Sequence, residues 1–206
     1  MYKLFWRKAV TAISVLCMLA ALTACGDSDK KNSDSSTSST NVAKKNSGTT
    51  GGKVSTGKPK TYEDENKLIK FQYPDTWEEK VGAGMVLIAS PVQEKGWKTN
   101  VQVEVNPETD SDTIEKILEE SASSLKLLKE DVNIQAQGIV KTKTGLSAAQ
   151  IVYSCSGNGM EFLEKQLIIQ AGDKKVVTLT ASTIKDLWSK YEPEINMIFD
   201  SLEKIK

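Results

Sequence analysis

From about Thr61 to its end the chain alternates apolar and polar residues in two periods. Ile69, Phe71 and Tyr73 are interleaved with Lys70 and Gln72, a period-two pattern that predicts a strand ending at Pro74. Met85 to Ala89 is a continuous apolar run before Pro91 and predicts another strand. Val101, Val103 and Val105 alternate with Gln102 and Glu104. The alternation returns at Val132, Ile134, Ala136 and Val140, and again at Ala149, Ile151, Tyr153 and Cys155 after a turn at Gly145. Leu163, Leu167 and Ile169 follow, then Val177, Leu179 and Ala181. Gly157-Asn158-Gly159 and Ala171-Gly172-Asp173 are short connections suited to antiparallel hairpins. Two stretches keep the helical period instead. Between Asp110 and Lys129 the apolar residues Ile114, Ile117, Leu118, Ala122, Leu125 and Leu128 fall on one face, with Ser111 or Asp112 as cap. A second stripe runs from Ile184 through Trp188, Tyr191, Ile195, Ile198 and Leu202 to Ile205. Pro193 must break or kink that helix, or open a fresh one, because it lacks the amide its turn needs. Both stripes need a sheet to cover. The predicted fold is α+β, an antiparallel β-sheet packed with helices over residues 61–206.

The N-terminal third follows neither period. Lys3, Arg7 and Lys8 precede an apolar run from Ala9 to Ala21, which is the order of a secretory signal. As a helix the run spans roughly 20 Å, short of the ~30 Å hydrocarbon core of a bilayer. Residues 26–60 are mostly Ser, Thr, Gly, Asn and Lys, with Val42, Ala43 and Val54 the only apolar side chains longer than glycine apart from Pro59. No face exists there to offset the entropy of ordering, so this segment reads as a tether, with a span of roughly 30–35 Å.

At the junction, Leu22-Thr23-Ala24-Cys25 resembles the lipobox of bacterial lipoproteins. The resemblance implies cleavage between Ala24 and Cys25, a diacylglycerol on the Cys25 sulfur, and a membrane anchor on the extracytoplasmic side. Residues 1–24 would be a lipoprotein signal peptide and residues 25–60 the lipidated cysteine with its tether. Each buried methylene adds about 0.8 kcal/mol of membrane affinity, so two or three acyl chains anchor stably.

Charge and chemistry narrow the functional classes. The whole chain is neutral, with 27 basic and 27 acidic residues, yet residues 61–206 carry 17 lysines against 24 acids. Their basic residues are scattered, so no nucleic-acid partner is expected. The chain has no histidine, which removes the usual general base and the commonest metal ligand. With Cys17 in the leader and Cys25 lipidated, Cys155 is the mature domain's sole cysteine, and no internal disulfide can form. Its parity points it into the core, where a thiol is inert. Glu108, Asp110 and Asp112 lack the calcium-loop pattern, and Glu78-Glu79 and Glu119-Glu120 read as solvated faces. Catalytic residues, cofactors and metals are therefore expected to be none. Trp97, in a polar loop, is the candidate surface contact, with packing over a sheet edge as its alternative; Tyr73 and Trp77 could frame a ligand groove, but Trp77 is expected to fold back onto the core after the turn at Pro74.

Phe71-Gln72-Tyr73-Pro74-Asp75-Thr76-Trp77 resembles the aromatic-Tyr-Pro-x-x-Trp segment of PsbP-like and DcrB-like domains. Gly145-Leu146-Ser147-Ala148-Ala149, Tyr191-x-Pro193 and Ile198-Phe199-Asp200-Ser201-Leu202 are similar to later segments of the same family. The resemblance implies an α/β/α sandwich and a largely non-catalytic function in assembling or stabilising membrane-associated complexes. The expectation is an anchored accessory module that binds another envelope protein. The alternatives are a small-ligand-binding lipoprotein and a hydrolase using carboxylates such as Glu104, Glu161 and Glu164.

Overall fold

The computed structural model describes residues 57–82, 84–106, 113–172 and 174–205. The expected leader, the Ala24–Cys25 junction and most of the tether lie outside the described residues, as do Glu108, Asp110, Ser111 and Asp112.

Among the described residues ten strands form two antiparallel sheets. A small sheet has the order β1 (Lys60–Glu63), β2 (Ile69–Tyr73), β10 (Glu203–Lys204). The large one comprises β3 (Glu78–Gly82), β4 (Met85–Glu94), β5 (Trp97–Asn106), β6 (Glu130–Lys141), β7 (Ser147–Gly157), β8 (Met160–Gly172) and β9 (Lys175–Ile184). Its spatial order is β3-β4-β5-β9-β8-β7-β6. Helix α1 (Ile114–Leu128) connects β5 to β6, and α2 (Trp188–Asp200) follows a 3₁₀ turn at Lys185–Leu187.

Side-chain parity divides the large sheet into two faces. Val101, Val103, Leu167, Ile169, Val177, Leu179 and Ala181 share a core with Phe71, Trp77 and the α2 residues Tyr191, Ile195, Ile198 and Phe199. The opposite parity places Ile151, Tyr153, Cys155, Phe162 and Ile168 against Ile117, Ala122 and Leu125 of α1. The two helices thus cover opposite faces of one antiparallel sheet, and the fold is α+β as expected. Among the described residues no helix is long and apolar enough to cross a membrane.

Several elements differ from the sequence-based expectation. Helix α1 begins at Ile114, and its cap is Thr113, whose Oγ1 accepts from the Lys116 amide at 3.3 Å. β4 does not stop before Pro91 but continues to Glu94. The proline falls where the register with β5 shifts, between Ala89 and Gln93, so its missing amide interrupts no regular ladder. Pro193 neither starts nor ends a helix; it lies within α2. That helix ends at Asp200 rather than at Ile205. The Ser201 hydroxyl accepts from the Gln72 amide at 2.8 Å and can donate to the Ile198 carbonyl at 3.1 Å, so the chain leaves the helix to pair with β2. β1 and β3 were not anticipated, because a single buried Tyr62 in one and no buried residue in the other leave no alternation to read.

Candidate functional site

Helix α1 packs on β6, β7 and β8, and three distinct surfaces meet around it. The first is a buried ion pair at its C-terminal end. Lys129, the C-cap residue, and Glu164 of β8 form a salt bridge with both side chains almost fully enclosed. Tyr153 donates its hydroxyl to the same carboxylate oxygen, Ser182 donates to the other at 3.0 Å, and the Lys129 ammonium lies 5.5 Å from the Tyr153 ring centre. A carboxylate and an ammonium leave water together only when bonds of this kind replace their hydration. The cluster fixes where α1 ends over the sheet.

The second surface is the outer edge. Leu118 and Ala122 of α1 face Ile134 and Gln137 of β6 across a groove of about 240 Å³, rimmed by Glu115, Glu119 and Lys126. Beyond it the chain leaves apolar side chains in water: Leu127 is 87% exposed, Leu128 45% and Ile139 41%. Among the described residues β6 is the last strand of the sheet, and one side of its twelve-residue backbone has no strand partner. The opposite edge, β3, has five residues and begins Glu78-Glu79-Lys80, which are features that blunt an edge.

The third surface is polar. On the α1 face of the sheet, β5 presents Gln102, Glu104 and Asn106 and β9 presents Thr178 and Thr180, aligned by the register Gln102↔Thr180 and Glu104↔Thr178. Burial raises the Glu104 carboxyl above its ordinary value, against the opposing effect of a hydrogen bond from Gln102 at 2.7 Å.

The far face holds a polar contact of another kind. Glu94 of β4 accepts from Lys190 at 2.7 Å and from the Tyr191 hydroxyl at 2.6 Å, tying β4 to α2. The Lys190 hydrogen bond first, and the Tyr191 bond second, hold its carboxyl below the ordinary value.

Cys25 and Ala24 lie outside the described residues. Trp97, expected as a surface contact, is half-buried: its ring meets Phe162 edge-on at 4.8 Å, and its Nε1 donates to the Ser182 carbonyl at 3.5 Å. Tyr73 and Trp77 lie in the core. Burial, then the hydrogen bond to Glu79, pushes the Tyr73 phenol up to about 12. Cys155 is buried in the α1 core. The three acids of the hydrolase reading do not converge. Glu161 pairs with Lys185 on the surface. Glu104 and Glu164 share a face but stand two strands and four residues apart, roughly 16 Å by strand spacing and rise. Carboxylate pairs that cleave glycosides sit about 5–9.5 Å apart. Among the described residues no group of three His, Cys, Asp or Glu could hold a metal ion.

The Lys129–Glu164 pair leaves almost no trace in the sequence. Its one signal was a glutamate in phase with Phe162 and Ile168, the parity that faces α1. Residues 58–204 match the sequence profile of the PsbP family. Among solved structures, LpqN, involved in cell envelope biogenesis of Mycobacterium tuberculosis, is similar in fold. It aligns with a TM-score of 0.54 and 18% identity, over 75% of this chain and 88% of that one. The solution structure of cyanobacterial PsbP (CyanoP) from Synechocystis sp. PCC 6803 aligns with a TM-score of 0.50 and 15% identity, over 74% of this chain and 96% of that one. No curated protein is matched.

Proposed function

This chain belongs to the PsbP family, and on that footing we propose that it is a non-catalytic accessory module of the cell envelope. It is held to the membrane by lipid on Cys25 and docks another envelope protein along its α1–β6 edge. The lipobox-like Leu22-Thr23-Ala24-Cys25 and the polar tether after it support the anchor. The likeness in fold to LpqN, a protein of cell envelope biogenesis, is compatible with the location.

The observation that carries the docking reading is the apolar edge itself. Ile139 is exposed on the strand itself, and Leu127 and Leu128 are exposed at the end of the helix that leads into it; burial of such side chains contributes about 25 cal/mol per Å² of apolar surface removed from water. A partner segment in extended conformation would pair with the β6 backbone and set one side chain toward the Leu118–Ile134 groove. The reading requires no catalytic residue.

Co-purification from native membranes tests it. The unaltered protein should retain a specific partner, and Leu127→Ser with Ile139→Lys should lose it while the unfolding temperature holds. Retention of the same partner by that double variant would contradict the assigned edge. Mass spectrometry of the native protein should find acyl chains on Cys25; an unmodified thiol would contradict the anchor.

A further inference from the structure

The groove between α1 and β6 carries its charges in a definite order. Glu115 and Glu119 line it along the first half of the helix and Lys126 along the last turn, with Leu118, Ala122 and Ile134 as its apolar part. Elsewhere several exposed lysines pair with an acid on another element: Lys95 with Asp186, Lys143 with Asp200 and Lys185 with Glu161. The two acids of the groove do not. Among the described residues neither the Glu115 nor the Glu119 carboxylate makes an ion pair or a hydrogen bond.

These acids stand four residues apart, where like charges on one helix face repel. The helix dipole favours Glu115, in the first turn, but has faded by Glu119. A cation from outside relieves the repulsion, and the apolar surface beside it has room for an uncharged side chain. At roughly 1.5 Å rise per residue, the carboxylate pair is centred about 4–5 Å along the axis from the Leu118–Ala122 pair. Side chains on one face of a strand follow each other at about 6.5 Å, and a long basic side chain takes up the difference.

Given the docking edge proposed above, on which this rests, we infer that the partner segment it takes is basic: an extended stretch with a lysine or arginine two residues from an apolar one, both on the groove side. Laid beside β6 as an added strand, it sets the apolar side chain against Leu118, Ala122 and Ile134 and the cation between Glu115 and Glu119. Lys126, at the far end, disfavours a second cation there. Other occupants fit worse. A second copy would bring a further domain with 17 lysines against 24 acids, and an anionic membrane surface would meet the same two carboxylates, so both are repelled.

Titration of the full chain with end-blocked nonapeptides, read by calorimetry and amide chemical shifts, tests it. The first peptide is threonine throughout except for lysine at its fourth place and valine at its sixth. The second has glutamate for the lysine, and the third serine for the valine. At low ionic strength the lysine–valine peptide should bind, moving the amide signals of Ile134, Gln137 and Ile139. The other two should bind about fivefold or more weakly. Glu115→Gln with Glu119→Gln should keep the unfolding temperature, since both side chains are exposed, and should abolish the preference for lysine but not that for valine. In cells, a photoreactive side chain at Ser123, which lines the groove, should join the partner at a segment with this pattern, read by sequencing the adduct. Equal binding of the three peptides at β6, or an adduct whose segment lacks the pattern, would overturn the basic segment and leave the docking edge standing. No shift in β6 with any peptide, or an adduct only of the chain with itself, would overturn both.

Discussion

Glu164 shows how much one side chain can hold when water is excluded. It is 3% exposed, accepts from Tyr153 and Ser182, and balances the Lys129 ammonium. Glu164→Gln would keep the shape and most of the hydrogen bonding but leave a buried cation uncompensated, a loss of about 3–5 kcal/mol. Adding Lys129→Met removes the stranded charge, so the double variant should regain most of that loss. Denaturant midpoints of the two variants decide between a charge effect and a packing effect. Glu94 is the pH-sensitive counterpart. Its carboxyl is held low by Lys190 and then Tyr191, so its contribution is present above the unfolded glutamate value of about 4.3 and is lost as pH falls through the folded value. The stability gap between the native protein and Glu94→Gln should be full at neutral pH and close on acidification below about pH 4. A gap that widened in acid would contradict the assignment. Both residues were poorly legible in the sequence. A glutamate looks the same whether it faces water or lysine, and Lys129 meets Glu164 only because a helix ends between them in space.

Elements were legible where burial has one side. Helix α1, the strand over Ile69–Tyr73 and the β7–β8–β9 hairpins follow from periodicity and turn chemistry, and the observed ranges agree within a few residues. In β9, nine of ten residues are buried, so Thr178, Thr180 and Ser182 read as a wet face although they are enclosed. That is why the polar rows went unseen in the sequence. The C-terminal apolar stripe misled in another way, since Leu202 is buried as a helical residue would be, yet the backbone around it pairs with β2. The β1–β2 turn depends on a residue no period reveals. Asp64, enclosed, accepts from the amides of Asn66, Leu68 and Ile69 at 3.0, 2.5 and 2.7 Å. Asp64→Ala removes all three at once and should destabilise the fold by about 2–3 kcal/mol, at the scale of bonds to a charged acceptor. Hydrogen exchange should show the loss first in the small sheet, as protection falling at Leu68 and Ile69. Unchanged protection there would remove Asp64 from the turn's support.

At the scale of the whole domain, α1 and α2 lie on opposite faces of the large sheet, whose two edges, open among the described residues, differ in character. β3 is short and begins with three charges, whereas β6 is long, carries the exposed Ile139 and follows the exposed Leu127 and Leu128 at the end of α1. Sequence patterning anticipated the layered α+β domain and the family that carries it. It did not locate the surface, because Leu128 continues the apolar stripe of α1 and reads as core although it is 45% exposed, while Leu127 lies off that stripe. The α1–β6 edge as docking surface is the central claim, and site-specific photo-crosslinking in living cells tests it most directly. A photoreactive side chain at Ile139 or Leu127 should capture one and the same envelope protein, while the same group at Val81, 69% exposed on β3, should not. Absence of an adduct from both α1–β6 positions, or the same adduct from Val81, would contradict it.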